Sequence, residues 1–296
     1  MKKTGLLIIL ILGILFVGAC RPTRPNSEIN NSQLPQSHLE IKGSDTMVNL
    51  ALAWTEAFRV EHPEISISIT GGGSGTGLAS LLNNTTDIAN ASRRIKEEEI
   101  DLAHSLGIEP VELVIARDAV AIIVNHNNPI NQLTLQQISD IFAGKYDNWQ
   151  ELGGDDRPIV RVSRESNSGT HIFFLEEVLR LGDPDSRVLF DPNTLLLPSS
   201  EGIIAEVRDN PNAIGYDGLG YVTPEVKVLG TTAEDHGPYI WPSIATVSDG
   251  TYPIARDLYA YTNGVPADAT KVFLDWVLST SGQNIVEALG FISVMN

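Results

Sequence analysis

Residues 71–77 read GGGSGTG, five glycines in seven positions. Before them, residues 65–70 alternate apolar and polar side chains as a strand does, and from Leu78 the spacing turns helical. A strand, a glycine turn and a helix make the unit with which α/β proteins hold phosphate. The first N–H groups of the helix lack partners, the helix dipole is positive there, and glycine lets an oxyanion approach the backbone. The nucleotide versions of this unit do not fit. Counted from Gly71, the sixth position of a dinucleotide fingerprint is Thr76, and Leu78 follows Gly77 where a P-loop needs lysine. A small free oxyanion remains.

The unit recurs. SGT stands at 74–76 and again at 168–170, and two more strand-to-helix turns carry hydroxyls, GSDTM at 43–47 and ASRR at 91–94. Taken singly, each reads first as an ordinary Ser or Thr cap. Four together, in a fold that gathers such turns at one sheet edge, point to a shared site. Arg164, four residues before Ser168, and Arg93, directly after Ser92, supply charge. A guanidinium can hold two oxygens of a tetrahedral anion in fixed geometry.

Around these turns, short strand patterns alternate with helical ones, which predicts an α/β fold with a mixed sheet. Helices are expected at 47–60, from 78, at 95–106, 134–143 and 170–181, and as one long amphipathic pattern over 268–289. Phe173, Phe174 and Val178 are expected to pack in the core. Two long β-rich stretches stand out, 111–125 and 252–262. The length allows about two domains. Six histidines show no metal-ligand spacing, Asp155-Asp156 lacks that of a calcium loop, and His171 is expected to cap or pack.

The N-terminal end speaks for export. Lys2 and Lys3 precede an apolar run, 6–19, too short for a comfortable span, and Val17-Gly18-Ala19 leads to Cys20, the one cysteine of the chain. Residues 1–19 are expected to be a signal peptide, Cys20 a lipidation site, and 20–38, rich in Pro, Asn and Ser, a flexible tether. The net charge of −17 argues against nucleic acid and against electrostatic docking on anionic lipid.

In order, IKGSDTM, GGGSGTG, DIANASRRI, IFAGKYDNWQELGG, RESNSGT, AIGYDGLGYV and YPIARDLYAYTN resemble the phosphate-binding proteins of bacterial phosphate ABC importers, from about residue 40 to the end. The resemblance implies a type II periplasmic-binding-protein fold, two α/β lobes closing like a clamshell. Lobe one would be 39–120 plus 252–296 and lobe two 121–251, with the two β-rich stretches as crossings. It implies phosphate contacts from Thr46, Met47, Ser74, Gly75, Ser92, Arg93, Arg164, Ser168, Gly169 and Thr170. Some members carry, after the DxGAS strand, an Asp that accepts the phosphate proton. Here Ser92 stands there, and Asp45 becomes the candidate acceptor. Asp45→Asn should then weaken discrimination against sulfate more than phosphate binding itself. The implied partners are inorganic phosphate, a membrane permease and the membrane through the lipid, with a monomeric protein, no cofactor and no enzymatic activity. Sulfate, molybdate or a related oxyanion, a sensor or adhesin role, and a serine phosphatase are the alternatives.

Overall fold

The computed structural model describes residues 37–234 and 236–295. The expected signal peptide, Cys20 and residues 20–36 of the tether lie outside them. Strand β1 (Ser37–Gly43) begins two residues inside the expected tether, because Ser37 and His38 already pair with β2 (Ile65–Thr70). Between them, α1 (Val48–Glu61) buries Leu50, Trp54 and Phe58 at four-residue spacing. The order continues through α2 (Ser74–Leu82), β3 (Ile88–Ala91), α3 (Glu97–Ser105), β4 (Pro110–Val124), β5 (Gln132–Thr134) and α4 (Leu135–Phe142). Then come β6 (Val160–Arg164), α5 (Gly169–Phe173), β7 (Leu195–Leu197), α6 (Ser200–Asp209), β8 (Ala213–Gly218), β9 (Lys227–Val228), β10 (Gly230–Thr232) and α7 (Ile244–Ser248). The chain finishes with β11 (Ala255–Asn263), α8 (Asp268–Val277) and α9 (Thr280–Ala288).

The main sheet runs β2-β1-β3-β11-β4-β8-β6-β7, with β9 also on β4, while β5 and β10 pair separately. Strand β4 serves both halves. Residues 110–119 pair antiparallel with β11, and 120–124 pair with β8. The core divides at the same place. Leu39, Trp54, Phe58, Ile115, Leu258 and Phe273 pack together, and Val120, Phe142, Trp149, Phe174, Tyr216 and Ile254 pack together. From Asp118 to Val124 the strand is buried on both faces, which explains the apolar run there.

Three helices depart from the sequence reading. Helix α2 starts at Ser74 rather than Leu78, so SGT forms its first turn. The last pattern is two helices, since Ser279 caps α9 by accepting from the Gly282 N–H. Helix α5 passes at Phe174 into a π turn, 174–179.

Candidate functional site

The four hydroxyl-bearing turns follow β1, β2, β3 and β6 and meet where the two cores abut. The Thr46 hydroxyl lies 2.9 Å from that of Thr170, and the Ser74 hydroxyl lies 3.3 Å from that of Ser92. Ser92 N–H donates to Ser74 Oγ at 3.0 Å. All four side chains are buried. Gly169 lies across the serines: a Cβ there would sit 2.2 Å from Ser74 Oγ and 2.6 Å from Ser92 Oγ. Ser168 caps α5, its hydroxyl accepting from Thr170 N–H at 3.2 Å.

Arg164 ends β6 with 1% of its side chain exposed. Its Nη2 donates to Asp45 Oδ2 at 2.6 Å and to Pro198 O at 2.9 Å, Nη1 donates to Ser200 Oγ at 3.0 Å, and Nε points at Leu197 O at 3.4 Å. One Nη1 N–H is left without a protein partner among the described residues. Asp45 accepts from Arg164 with one oxygen and from Gly72 N–H, at 2.8 Å, with the other. Both its oxygens thus meet strong donors, and the carboxylate ties the glycine turn to Arg164, a different task from the proton acceptor expected of it.

Three more expected contacts have protein partners instead. Arg93 grips the Glu99 carboxylate with both terminal nitrogens, at 2.8 and 2.7 Å, and so turns toward α3. Met47 N–H donates to Ser44 O at 3.1 Å. Gly75 N–H donates to Asn167 O at 3.0 Å, while Asn167 Nδ2 donates to Gly72 O at 2.9 Å. The Gly-rich turn and the SNSGT loop are stitched together by one backbone bond and one from the Asn167 side chain. Gly73 permits this with φ 89° and a hydrogen where a Cβ would meet Asn167 O at 2.7 Å.

The second cation at the hydroxyls is Arg256, which the sequence reading passed over. Its Nη2 and Nε donate to Asp118 Oδ2 at 2.8 and 3.2 Å, Nη1 donates to Ser92 O at 3.1 Å, and Nη2 lies 3.5 Å from Thr46 Oγ1. Its guanidinium stands 5.4 Å from the Phe173 ring centroid. Phe173 is only half-buried, so this ring faces the site as well as the core. The signal was in the sequence: IARD occurs at 115–118 and again at 254–257. In antiparallel register the copies pair reciprocally, Arg256 with Asp118 inside and Arg117 with Asp257 outside, at 3.2 Å. Alternation along a strand sends one pair to each face.

His171 packs, as expected: its ring stacks on Phe190 at 4.5 Å and Nδ1 lies 3.0 Å from Ser163 Oγ. Burial holds its imidazole below the ordinary range and so neutral. Among the described residues no cluster of three His, Cys, Asp or Glu could hold a metal, and no His or carboxylate hydrogen-bonds Ser74 or Ser92. Buried hydroxyls with guanidinium N–H groups beside them suit an oxyanion held by short, desolvated hydrogen bonds.

The model of the PBP superfamily domain matches residues 29–281. The chain is 34% identical over 293 residues to the phosphate-binding protein PstS of Pseudomonas aeruginosa, covering 93% of this chain and 88% of that one. It is 30% identical over 305 residues to PstS of Bacillus subtilis, covering 99% and 95%. Among solved structures, a candidate phosphate ABC transporter substrate-binding protein of Clostridium perfringens, with bound phosphate, matches at TM-score 0.77 and 34% identity, over 87% of this chain and 99% of that one. With the mixed sheet shared between two cores, these matches place the fold as type II periplasmic binding protein, and the chain belongs to the PBP superfamily, within the family of PstS phosphate-binding proteins.

Proposed function

We propose that the chain binds free inorganic phosphate outside the cell membrane and delivers it to the permease of an ABC importer. One observation carries the reading: buried Arg256 reaches the group of buried hydroxyls where the two cores meet, and buried Arg164, held by Asp45 and the Ser200 hydroxyl, keeps one N–H unused among the described residues. Relatives named phosphate-binding proteins and the phosphate-bound C. perfringens neighbour support it. The proposed contacts are the hydroxyls of Thr46, Ser74, Ser92 and Thr170, the backbone of Gly169, and the remaining N–H groups of Arg164 and Arg256, with Ser168 as cap. Residues 39–120 plus 252–296 and 121–251 would be the lobes, bending at β4 and β11. Lys2, Lys3 and Cys20 support export and a lipid anchor. A monomer suffices, since all proposed contacts come from one chain.

Sulfate is the competing ligand. At neutral pH phosphate keeps a proton that a serine or threonine hydroxyl can accept, and sulfate has none to offer. A serine phosphatase would need a base or metal beside its nucleophile. Calorimetric titration with phosphate, arsenate and sulfate tests the assignment. Binding of the first two but not the third is expected; preference for sulfate would replace phosphate as ligand, and turnover of p-nitrophenyl phosphate would replace binding with catalysis.

A further inference from the structure

The buried centre holds more carboxylates than the two arginines balance. Arg164 and Arg256 face Asp45, Asp118 and Asp217, and the last two are fully buried. With all five ionised the centre carries an excess negative charge before any anion arrives. The three carboxylates are held differently. Asp45 accepts from Arg164 and Gly72, and Asp118 accepts from Arg256 and from Leu219 N–H at 3.1 Å. Asp217 touches no arginine directly. Its Oδ1 accepts from Ser200 Oγ at 3.0 Å and from Gly218 N–H at 2.7 Å, while its Oδ2 is buried with no partner among the described residues. Ser200 Oγ itself accepts from Arg164 Nη1 at 3.0 Å, so one hydroxyl separates Asp217 from the guanidinium.

We propose that Asp217 carries the proton that balances the bound anion: phosphate binding draws a proton onto the orphan Oδ2. The inference rests on phosphate binding beside Arg164. A proton on Oδ2 costs no existing hydrogen bond, because Oδ1 goes on accepting from Ser200 and Gly218. On Asp45 or Asp118 it would displace an N–H donor. Burial, against the pull of Arg164 and Arg256, holds the Asp217 carboxyl up at about 6. The other ionisable groups around it are the phenols of Tyr216 and Tyr221, both pushed far above the neutral range by burial, with Asp45 beyond Arg164 and Asp118 beyond Gly218. Burial pushes the Asp118 carboxyl up as well, but both of its oxygens accept N–H donors, so Asp217, with its free Oδ2, is the group that can take a proton without losing a bond. An anion about 8 Å away at an effective dielectric of about 20 would raise its midpoint by roughly 1 to 2 pH units. Below the free midpoint Asp217 is protonated in both states; between the free and bound midpoints binding takes up a proton and affinity falls as pH rises, and above both the affinity levels off.

The test compares wild type with Asp217→Asn by phosphate calorimetry from pH 5.5 to 8.5, in buffers of different ionisation enthalpy. The ionisation of phosphate is common to both proteins and cancels in the difference. Wild type should take up about half a proton more per phosphate near pH 7. The variant should gain roughly 10- to 100-fold in affinity relative to wild type across the pH range, the fold-change that matches the shift in midpoint. A carbon-13 titration of the Asp217 carboxyl in the wild type, with and without phosphate, gives the same answer without a substitution: its midpoint should rise on binding. Equal proton counts in the two proteins, or a midpoint unmoved by phosphate, overturns this inference alone. A wild type that binds no phosphate overturns it together with the reading on which it rests.

Discussion

Replacing Gly169 by alanine should separate folding from binding. Gly169 opens α5, and its added Cβ would stand 2.2 Å from Ser74 Oγ, 2.6 Å from Ser92 Oγ and 3.0 Å from Ser74 Cβ. A relaxed carbon–oxygen contact needs about 3.5 Å, so the surfaces must part by about 1 Å. Rotating the Ser74 hydroxyl away is no easy escape, because it already accepts from Ser92 N–H and is fully buried. A displacement of that size would stretch the Thr46–Thr170 contact from 2.9 Å beyond hydrogen-bonding range, together with other contacts made across the gap. Two or three such bonds at about 1 kcal/mol each come to about 2–3 kcal/mol, or roughly 30- to 150-fold in phosphate affinity. The clash arises only where Gly169 closes onto the two serines, so the ligand-free protein can relieve it by opening, and its melting temperature without phosphate should change little. Calorimetric titration with a parallel thermal melt reads both. Phosphate affinity within threefold of wild type, in a protein of normal stability, would refute the proposed closure of Gly169 onto the two serines.

Other substitutions probe the charges. Arg164→Ala removes a charged donor and leaves Asp45 without its guanidinium partner, and should cost at least 100-fold in phosphate affinity by calorimetry. Arg93→Ala, whose side chain holds Glu99, should leave affinity within threefold and lower the melting temperature instead. Asp45→Asn should weaken phosphate and sulfate binding by the same factor, about tenfold, because it loosens Arg164; a change confined to the sulfate-to-phosphate ratio would restore Asp45 as proton acceptor. Asp217 has a raised carboxyl, so its contribution to stability is fully present below about pH 4 and is lost as pH rises through about 6. Denaturant unfolding of wild type relative to Asp217→Asn should therefore decline between about pH 3 and 7, by up to about 3 kcal/mol in all, and a flat difference would count against the burial of that charge.

The sequence alone determined the local pieces. Glycine and hydroxyl chemistry marked the turns at 43–47, 71–77, 91–94 and 168–170, since caps and tight turns depend on residues a few positions apart. The apolar run at the end of β4 was equally legible, because from Asp118 to Val124 the strand has no wet face. Tertiary structure decided where each side chain went. Arg93 and Arg256 cannot be told apart by neighbours: one met Glu99, six residues on, and the other met Asp118 across 138 residues and came to rest beside Thr46. The repeated IARD gave a hint of that pairing, but only the antiparallel register says which pair turns inward. The charge of the site belongs to the fold as well. Asp217 reads as one more acid in AIGYDGLGYV until β8, β6 and α6 close around it and leave one of its oxygens dry. Hydrogen-bond and ionisation chemistry in a buried centre depends on distances of a few ångströms, and residues far apart in the chain acquire those distances only on folding.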